Sequence, residues 1–350
     1  MKSISILRKR LELIQEFFFD GVPRLWCPPL THYKDNGTID FERMAAHLAQ
    51  LVPWVKGYLI PGSIGDGWEL DEQETLGLVE FAAKQGRKQG ITILLGVLRA
   101  EPATMKETIK AMVRMLQRMT TVDDVMTCLH AASVCGFAIC PPTGKTLSQD
   151  TIYEGLAEIM DMGLPTALYQ LPQVTENEVA PETFERLVEN CPNLIFFKDT
   201  SGADRVATSD VDKGGVFLVR GAEGDYARRL KDANGSYDGF LLGTANCFAD
   251  MLSAIIEHVE RGDLLSAGAI SDTLSRAFGE VFDLVQPLTY GNTFANANKA
   301  IDHFKAFGPR AHQKKGPMLR ARVRLPDPII SGTGAILTSY GLMPDKGYLE

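Results

Sequence analysis

A chain of 350 residues with 45% hydrophobic and 23% charged residues has the composition of a globular protein with a large core. The net charge of -8 and the pI near 5.4 exclude an extended nucleic-acid-binding surface, because phosphate binding requires clustered lysine and arginine. No apolar run approaches the roughly 18 residues that span a bilayer, so the sequence predicts no membrane partner.

The N-terminal segment differs in pattern from the rest of the chain. Residues 1–21 mix charges with a broken apolar pattern, which predicts an amphipathic helical extension and not a signal segment. From residue 22 the chain repeats a short apolar run, a break rich in Gly, Pro or polar residues, and a longer helical segment. Eight apolar runs occur, at residues 22–27, 57–61, 91–97, 136–140, 165–169, 194–197, 216–220 and 237–243.

These runs predict a parallel β-sheet that closes on itself. Continuous apolar runs are typical of strands buried on both faces, and their alternation with helices indicates parallel βα units. Eight such units predict a (β/α)8 TIM barrel. The alternative is a doubly wound sheet, which usually carries a glycine-rich nucleotide turn after its first strand; here the first strand runs into CPPLTHY, which has no glycine.

The remaining segments extend the barrel. The barrel is predicted over residues 22–245, with an insertion near 118–132 where Pro102–Val134 is too long for one barrel helix. Residues 246–310 are predicted to form additional C-terminal helices. Residues 311–350 are rich in Pro and Gly and are predicted to form an irregular surface tail.

The cysteine and histidine positions indicate the compartment and argue against a metal. The six histidines form no HxH or HxxxH pair, so the sequence predicts no metal site. The cysteines lack CxxC spacing, which predicts neither a zinc ribbon nor a disulfide framework. We therefore expect a cytoplasmic protein. The cysteines are Cys27, Cys128, Cys135, Cys140, Cys191 and Cys247.

Two polar residues stand at the ends of consecutive apolar runs. Lys198 directly follows the run 194–197, and Tyr169 ends the run before it. A strand-end lysine usually lays its stem along the surface and keeps the ammonium in water. A lysine held among apolar side chains instead has a lowered pKa and is nucleophilic toward ketones. Because parallel strands in register bring both residues to one rim, where barrel active sites lie, we favour the catalytic interpretation.

Two turns carry small residues that suit an anion. Gly62, Ser63 and Ile64 follow the second strand, and small residues with a hydroxyl let backbone N–H groups approach a carboxylate. An ordinary turn explains these glycines equally well. Gly221 and Gly224 occupy a similar turn after the seventh strand, which is a weak anion-site pattern.

Three motifs together resemble those of one family. GSIGD (62–66), YQLP (169–172) and KDTSG (198–202) resemble the GxTGE, YxxP and KDxSG motifs of the dihydrodipicolinate synthase / N-acetylneuraminate lyase family of class I aldolases. GFLLGTAN (239–246) and NKAIDHFKAFG (298–308) resemble its eighth-strand motif and C-terminal helix. The resemblance implies a homo-oligomer, either a dimer or a tetramer, and no cofactor beyond a covalent imine.

The resemblance also implies roles for individual residues. Lys198 would form an imine with the keto carbon of pyruvate or another 2-keto acid, and Tyr169 would shuttle protons. Ser63, with Gly62 and the backbone around Ile64, would bind the substrate carboxylate. Two further positions complete the implied substrate-binding set, Thr143 after the fourth strand and Leu241 in the eighth.

Departures from the family pattern narrow the expected reaction. Ile64 replaces a hydroxyl residue of the family turn, Asp66 replaces its glutamate, and Val174 replaces the arginine that lysine-pathway synthases place after YxxP. A tyrosine pair of those synthases is also missing, which leaves Thr143 as the nearest hydroxyl. The sequence therefore argues against lysine biosynthesis.

Three functions remain open from the sequence. The first is a Schiff-base lyase that cleaves, condenses or dehydrates a 2-keto-3-deoxy sugar acid or a similar hydroxylated 2-keto acid. The second is a hydratase-aldolase for an aromatic or apolar aldehyde, which Ile64, Trp68 and Val174 favour. The third is a non-catalytic keto-acid-binding homologue, consistent with the missing tyrosine pair.

Overall fold

Eight parallel strands form a closed barrel in a computed structural model that describes residues 2–350. Each strand pairs with the next along the chain, and the last pairs with the first, which confirms the predicted (β/α)8 barrel. The strands are β1 (Leu25–Cys27), β2 (Gly57–Ile60), β3 (Thr92–Val97), β4 (Val134–Ile139), β5 (Thr166–Gln170), β6 (Leu194–Asp199), β7 (Phe217–Arg220) and β8 (Gly239–Leu241).

Helices surround the barrel and extend it at both ends of the chain. Among residues 2–350, every helix is too short or too polar to cross a bilayer. The helices are α1 (Lys2–Phe17), α2 (Phe41–Leu51), α3 (Glu72–Gln89), α4 (Pro102–Thr120), α5 (Val125–Ala131), α6 (Gln149–Met160), α7 (Pro172–Thr175), α8 (Pro181–Asn190), α9 (Arg205–Thr208), α10 (Tyr226–Arg229), α11 (Ala245–Glu260), α12 (Leu264–Val285), α13 (Thr293–Phe307) and α14 (Asp327–Ser339).

The expected insertion contains a short helix of its own. Helix α4 ends at Thr120, and the next residue, Thr121, caps it in a left-handed conformation. The side chain of Asp124 then caps the start of α5 by accepting from the Thr127 N–H. Asp is a favourable N-cap because its carboxylate satisfies a free backbone donor of the first turn. The segment therefore forms a helix–turn–helix unit before β4.

The C-terminal tail is more regular than its composition predicts. Residues 327–339 form helix α14, so the prediction of an irregular tail is wrong there. Pro328 lies in the first turn, where a missing N–H costs nothing. Gly332 and Gly334 allow close packing, since a Cβ there would lie 2.8 Å from Leu284 Cδ2 and 2.7 Å from Phe304 Cζ. The glycines thus seat α14 on α12 and α13.

Helix α1 covers the amino-terminal end of the barrel. The guanidinium of Arg10 is fully buried and donates to the backbone carbonyls of Val188, Cys191, Leu194 and Gly214. These carbonyls belong to the end of α8 and the starts of β6 and β7. One charged side chain therefore donates to four buried carbonyls, of which Cys191 also accepts from the Leu194 N–H at 3.2 Å.

Replacing Arg10 should destabilise the fold strongly. In Arg10→Met the four buried carbonyls lose the guanidinium as a donor, and we expect the free energy of unfolding to fall by at least about 3 kcal/mol. Urea denaturation should show this as a lower midpoint. The control Arg276→Met alters an exposed arginine of α12 and should stay within about 0.5 kcal/mol of the parent. Equal midpoints for both variants would contradict the role given to Arg10.

Candidate active site

Lys198 and Tyr169 lie side by side near the carboxyl ends of two neighbouring strands. Their Cα atoms are partners in the register of β5 and β6, as the sequence predicts. The Lys198 ammonium nitrogen lies 3.9 Å from the centroid of the Tyr169 ring. Only 4% of Lys198 is exposed, so its amine does not extend into water. The surface-lysine interpretation is therefore excluded.

Burial also changes the acidity of Lys198. Loss of hydration lowers the pKa of its ammonium from 10.5 to about 7, although Cys140, Glu223 and Cys27 act in the opposite direction. The side chain fits because residue 221 is glycine, where a Cβ would lie 2.8 Å from Lys198 Cε. A large fraction of the amine is therefore neutral, and nucleophilic, at neutral pH.

Tyr169 and Ser63 form the second part of the site. Burial raises the pKa of the Tyr169 phenol well above its usual range, and a hydrogen bond with the Ser63 side chain acts in the opposite direction. Only 2% of Tyr169 and 5% of Ser63 are exposed. The phenol is therefore protonated, next to the amine and a hydroxyl, where it is positioned to pass a proton.

The turn that carries Ser63 is fixed by buried contacts of the neighbouring residue Asp66. Residues 63–65 form a short 3-10 helix, and Asp66 follows it in a left-handed conformation with φ of 60°. The Asp66 carboxylate accepts from the Tyr33 hydroxyl and from Lys299 of α13, both at 3.0 Å. This buried anchor fixes the turn, so Ser63 and Ile64 are presented at one position over the barrel.

A cavity of about 320 Å³ opens above Lys198 at the carboxyl ends of the strands. Ser63, Ile64, Tyr169 and Lys198, all predicted from the sequence, line this one cavity. Its size is sufficient for a small ligand. Within the part of the chain that the structure describes, Lys198 is the only basic side chain in the cavity wall and Glu223 the only acidic one.

Other predicted residues lie outside this wall. Leu241 is fully buried in the barrel interior, and Gly62 backs onto Pro28, whose Cβ would lie 2.6 Å from an added Cβ. The hydroxyl of Thr143 is buried without a hydrogen-bond partner among the described residues. Trp68 lines a separate cavity between α3 and α4. Among the described residues, Gly62, Trp68, Thr143 and Leu241 are therefore not part of the wall of the cavity above Lys198.

The structure adds residues that the sequence did not single out. Glu223, from the loop after β7, accepts from the Thr244 N–H at 3.0 Å, from the Thr244 hydroxyl, and from the Tyr226 hydroxyl at 2.9 Å. Burial raises the pKa of its carboxyl, and these hydrogen bonds oppose the increase. Leu171 and Phe294 are also new, and together with Val174, which the sequence analysis did name, they give the cavity an apolar lining.

A group of potential metal ligands lies outside this cavity. His32, His47 and Asp302 place ligand atoms within 4.8 Å of one another, although their sequence spacing gives no such indication. Arg43 donates to Asp302 at 2.9 Å, and so does the Tyr348 hydroxyl. Burial alone would raise the pKa of Asp302, but the surrounding histidines and Arg43 hold it well below its usual range. The carboxylate is thus already paired with a cation.

A (β/α)8 barrel with a buried, readily deprotonated lysine at its carboxyl rim is the arrangement of Schiff-base-forming lyases. The chain belongs to the dihydrodipicolinate synthetase family, whose model matches residues 22–290. A similar protein is the 4-hydroxy-tetrahydrodipicolinate synthase of Sorangium cellulosum, 27% identical over 71% of this chain and 77% of the relative. The Streptococcus gordonii synthase is 25% identical over 74% and 77%.

Solved structures share the fold at lower identity. YagE of E. coli K12, a dihydrodipicolinic acid synthase family protein solved in complex with pyruvate, superposes with a TM-score of 0.70 at 18% identity. The match covers 91% of this chain and 98% of that one. KD(P)GA from T. tenax gives a TM-score of 0.67 at 17% identity, covering 91% and 99%. The family match and the curated synthases identify this chain as an enzyme of the lyase class.

Proposed function

We propose that this enzyme cleaves, forms or dehydrates a hydroxylated 2-keto acid, of the 2-keto-3-deoxy sugar acid type, through an imine on Lys198. The observation that carries the proposal is the buried Lys198 amine beside Tyr169, with a pKa of about 7. No separate cofactor takes part in the proposal, because the protonated imine itself accepts the electron pair.

The reaction follows from these groups. The Lys198 amine attacks the keto carbon, and loss of water gives a protonated imine. In the cleavage direction the C4 hydroxyl loses its proton, the C3–C4 bond breaks, and its electrons move into the imine to give an enamine and an aldehyde. Protonation at C3 and hydrolysis then release pyruvate and the free amine. In dehydration, a C3 proton leaves instead and the C4 hydroxyl departs as water.

Tyr169 and the turn after β2 have distinct tasks in this proposal. The phenol delivers a proton to the carbinolamine hydroxyl and takes one from the C4 hydroxyl, with Ser63 as its neighbour. The Ser63 hydroxyl and the backbone at Ile64 bind the 2-keto acid carboxylate. Val174 lines the cavity in place of the arginine that lysine-pathway synthases carry after YxxP. A second anionic group of the substrate would therefore lack a cation at this position. This supports an uncharged aldehyde half.

Glu223 supports a hydroxylated substrate. Glu223 lines the cavity, and its carboxylate can accept from a substrate hydroxyl in addition to Thr244 and Tyr226. In Glu223→Gln we expect kcat/KM for a 2-keto-3-deoxy sugar acid to fall about 10- to 100-fold, because a charged acceptor is lost. Imine formation with pyruvate alone should change little. An equal loss in both measurements would contradict a role for Glu223 in binding the distal hydroxyls.

Imine formation should depend on pH in a defined direction. The neutral amine is the nucleophile, so its fraction rises as the pH increases through the Lys198 pKa of about 7. We expect the rate of pyruvate trapping by cyanoborohydride to increase about tenfold from pH 6 to 8 and then to level off. Peptide mapping should place the adduct on Lys198. A rate that keeps rising to pH 10 would indicate a lysine of ordinary pKa.

A second candidate function rests on the apolar wall. Ile64, Leu171, Val174 and Phe294 would suit the ring of an aromatic aldehyde in a hydratase-aldolase. Condensation assays with pyruvate and glyceraldehyde, benzaldehyde or an aldehyde with a carboxylate distinguish these substrates. Faster reaction with glyceraldehyde supports the sugar-acid proposal, and faster reaction with benzaldehyde replaces it. A Lys198 adduct without any product would indicate a binding protein.

We also propose that the enzyme is a dimer or tetramer, from the family resemblance, and that it is cytoplasmic, from the cysteine pattern.

A further inference from the structure

Glu223 lies in a loop whose backbone has little rigidity of its own. Glycines precede and follow it, Gly221 and Gly224, and Gly224 has a φ of 85°. Glycine adopts many backbone conformations, so its own sequence does not fix such a loop. The helix that follows, α10, has only four residues. Contacts from outside the loop must therefore fix the position of Glu223.

The guanidinium of Arg220 binds the loop on both sides of Glu223. Arg220 is the last residue of β7 and is 4% exposed. Its Nη1 atom donates to the carbonyl of Ala222 at 2.8 Å and to the carbonyl of Gly224 at 2.6 Å. This nitrogen carries two hydrogens, so it can serve both carbonyls at once. The backbone before and after Glu223 is thus tied to the end of a barrel strand.

A buried carboxylate holds Arg220 in turn. Arg220 Nε lies 3.4 Å from Oδ1 of Asp204, which is 2% exposed. The same carboxylate accepts from the Tyr237 hydroxyl at 2.7 Å and from Arg229 at 2.9 Å. Asp204 belongs to the loop after β6, the strand of the imine-forming lysine. The network therefore connects the loops after β6 and β7 at the carboxyl rim.

We propose that Arg220 is a positioning residue for the distal hydroxyls of the substrate, because it holds Glu223 in the wall of the cavity above Lys198. The inference rests on the proposed function, in which Glu223 accepts from a substrate hydroxyl. Within the described part of the chain Arg220 is not in the cavity wall, so it acts through Glu223 and does not touch the ligand. Burial raises the pKa of the Glu223 carboxyl, and the Thr244 hydrogen bonds and the charge of Arg220 oppose that increase.

The test replaces Arg220 with lysine in the full-length protein. Arg220→Lys keeps the positive charge, but the shorter ammonium that pairs with Asp204 does not also span the two loop carbonyls. With 2-keto-3-deoxygluconate as substrate we expect KM to rise about tenfold at unchanged kcat, as for lost ground-state binding. The rate of pyruvate trapping on Lys198 should change less than about threefold, which also verifies that the variant is folded.

Arg229 provides the matched control. It donates to the same Asp204 carboxylate, at 2.9 Å, and to Asp225 at 3.3 Å. Arg229→Lys should therefore leave KM for 2-keto-3-deoxygluconate within about threefold of the parent. Equal KM values for parent and Arg220→Lys overturn the proposal. Equal increases in Arg220→Lys and Arg229→Lys assign the effect to Asp204 and overturn it as well.

A double variant separates positioning from a general effect on the site. If Arg220 acts through Glu223, the protein with both Arg220→Lys and Glu223→Gln should have the KM of Glu223→Gln alone. Effects that multiply would show that Arg220 acts independently, and loss of pyruvate trapping in Arg220→Lys would show that it supports the whole site. Either result overturns this inference alone. A parent that does not turn over 2-keto-3-deoxygluconate overturns the proposed function and this inference together.

Discussion

Replacing Lys198 with alanine is expected to reduce turnover by at least about a thousandfold, because among residues 2–350 no other side chain in the cavity wall carries an amine that can form the imine. Trapping with pyruvate and borohydride should then give no adduct of the intact chain. Steady-state kinetics and mass spectrometry measure the two effects separately. Retained turnover in Lys198→Ala would rule out the imine mechanism altogether.

Loss of activity in this variant must be separated from loss of structure. Lys198→Met keeps most of the side-chain length without the amine, and it fits the space beside Gly221. Because a buried amine is replaced by an apolar group, we expect its melting temperature to equal or exceed that of the parent. The expected result is an inactive but stable protein. If Lys198→Met is inactive and also melts at a lower temperature than the parent, its inactivity does not test the role of the amine. Both Lys198→Met and Lys198→Ala should therefore be measured.

Replacing Tyr169 with phenylalanine is expected to lower kcat about 10²- to 10⁴-fold, the usual contribution of a positioned proton donor. The Lys198 amine remains, so a pyruvate adduct should still form on long incubation, more slowly than in the parent. The effect should therefore appear mainly in the rate of proton-dependent steps and much less in the final yield of adduct.

A matched tyrosine provides the control for this experiment. Tyr58 is also fully buried in a barrel strand, and its hydroxyl donates to the Val55 carbonyl at 3.2 Å. It does not line the cavity above Lys198, so Tyr58→Phe should alter kcat less than about threefold while removing a comparable hydrogen bond. Similar losses in the two variants would mean that Tyr169 acts through packing and not through proton transfer.

The sequence predicts the barrel because strand burial and alternation are local signals. The pairing of Tyr169 with Lys198 follows from the same regularity, since one βα repeat separates two strand ends. Ser63 and Ile64 also lie where the turn motif places them. Local patterns therefore locate residues that the strands themselves carry to the rim.

Residues that depend on tertiary packing are harder to predict. Glu223 lies in the turn after β7, where the sequence pattern singles out only Gly221 and Gly224. Its carboxylate is positioned by hydrogen bonds from Thr244 and Tyr226, which lie later in the chain. Phe294 reaches the cavity from α13, far along the chain from the strands that form the barrel. The position of the Phe294 side chain depends on how α12 and α13 pack together. A local sequence pattern does not predict that packing.

In the C-terminal tail the sequence predicts irregular chain where the structure has a helix. Pro and Gly normally mark irregular chain, yet Pro328 begins α14 and Gly334 provides the contact with Phe304. The composition alone does not distinguish a helix-starting proline from a loop proline, or a packing glycine from a turn glycine. Only the neighbouring helices decide between them.

The anchor at Arg10 also constrains the order in which the chain matures during translation. Arg10 leaves the ribosome well before its acceptor, because the carbonyl of Gly214 lies 204 positions later in the chain. At typical elongation rates the guanidinium waits on the order of 10 to 40 seconds before that acceptor is made. Until then the Arg10 guanidinium, in the middle of α1, remains hydrated, and the amino-terminal mouth of the nascent barrel stays open. Closure of that mouth is thus a late event in biosynthesis, set by residues near position 200 and not by the early folding of α1.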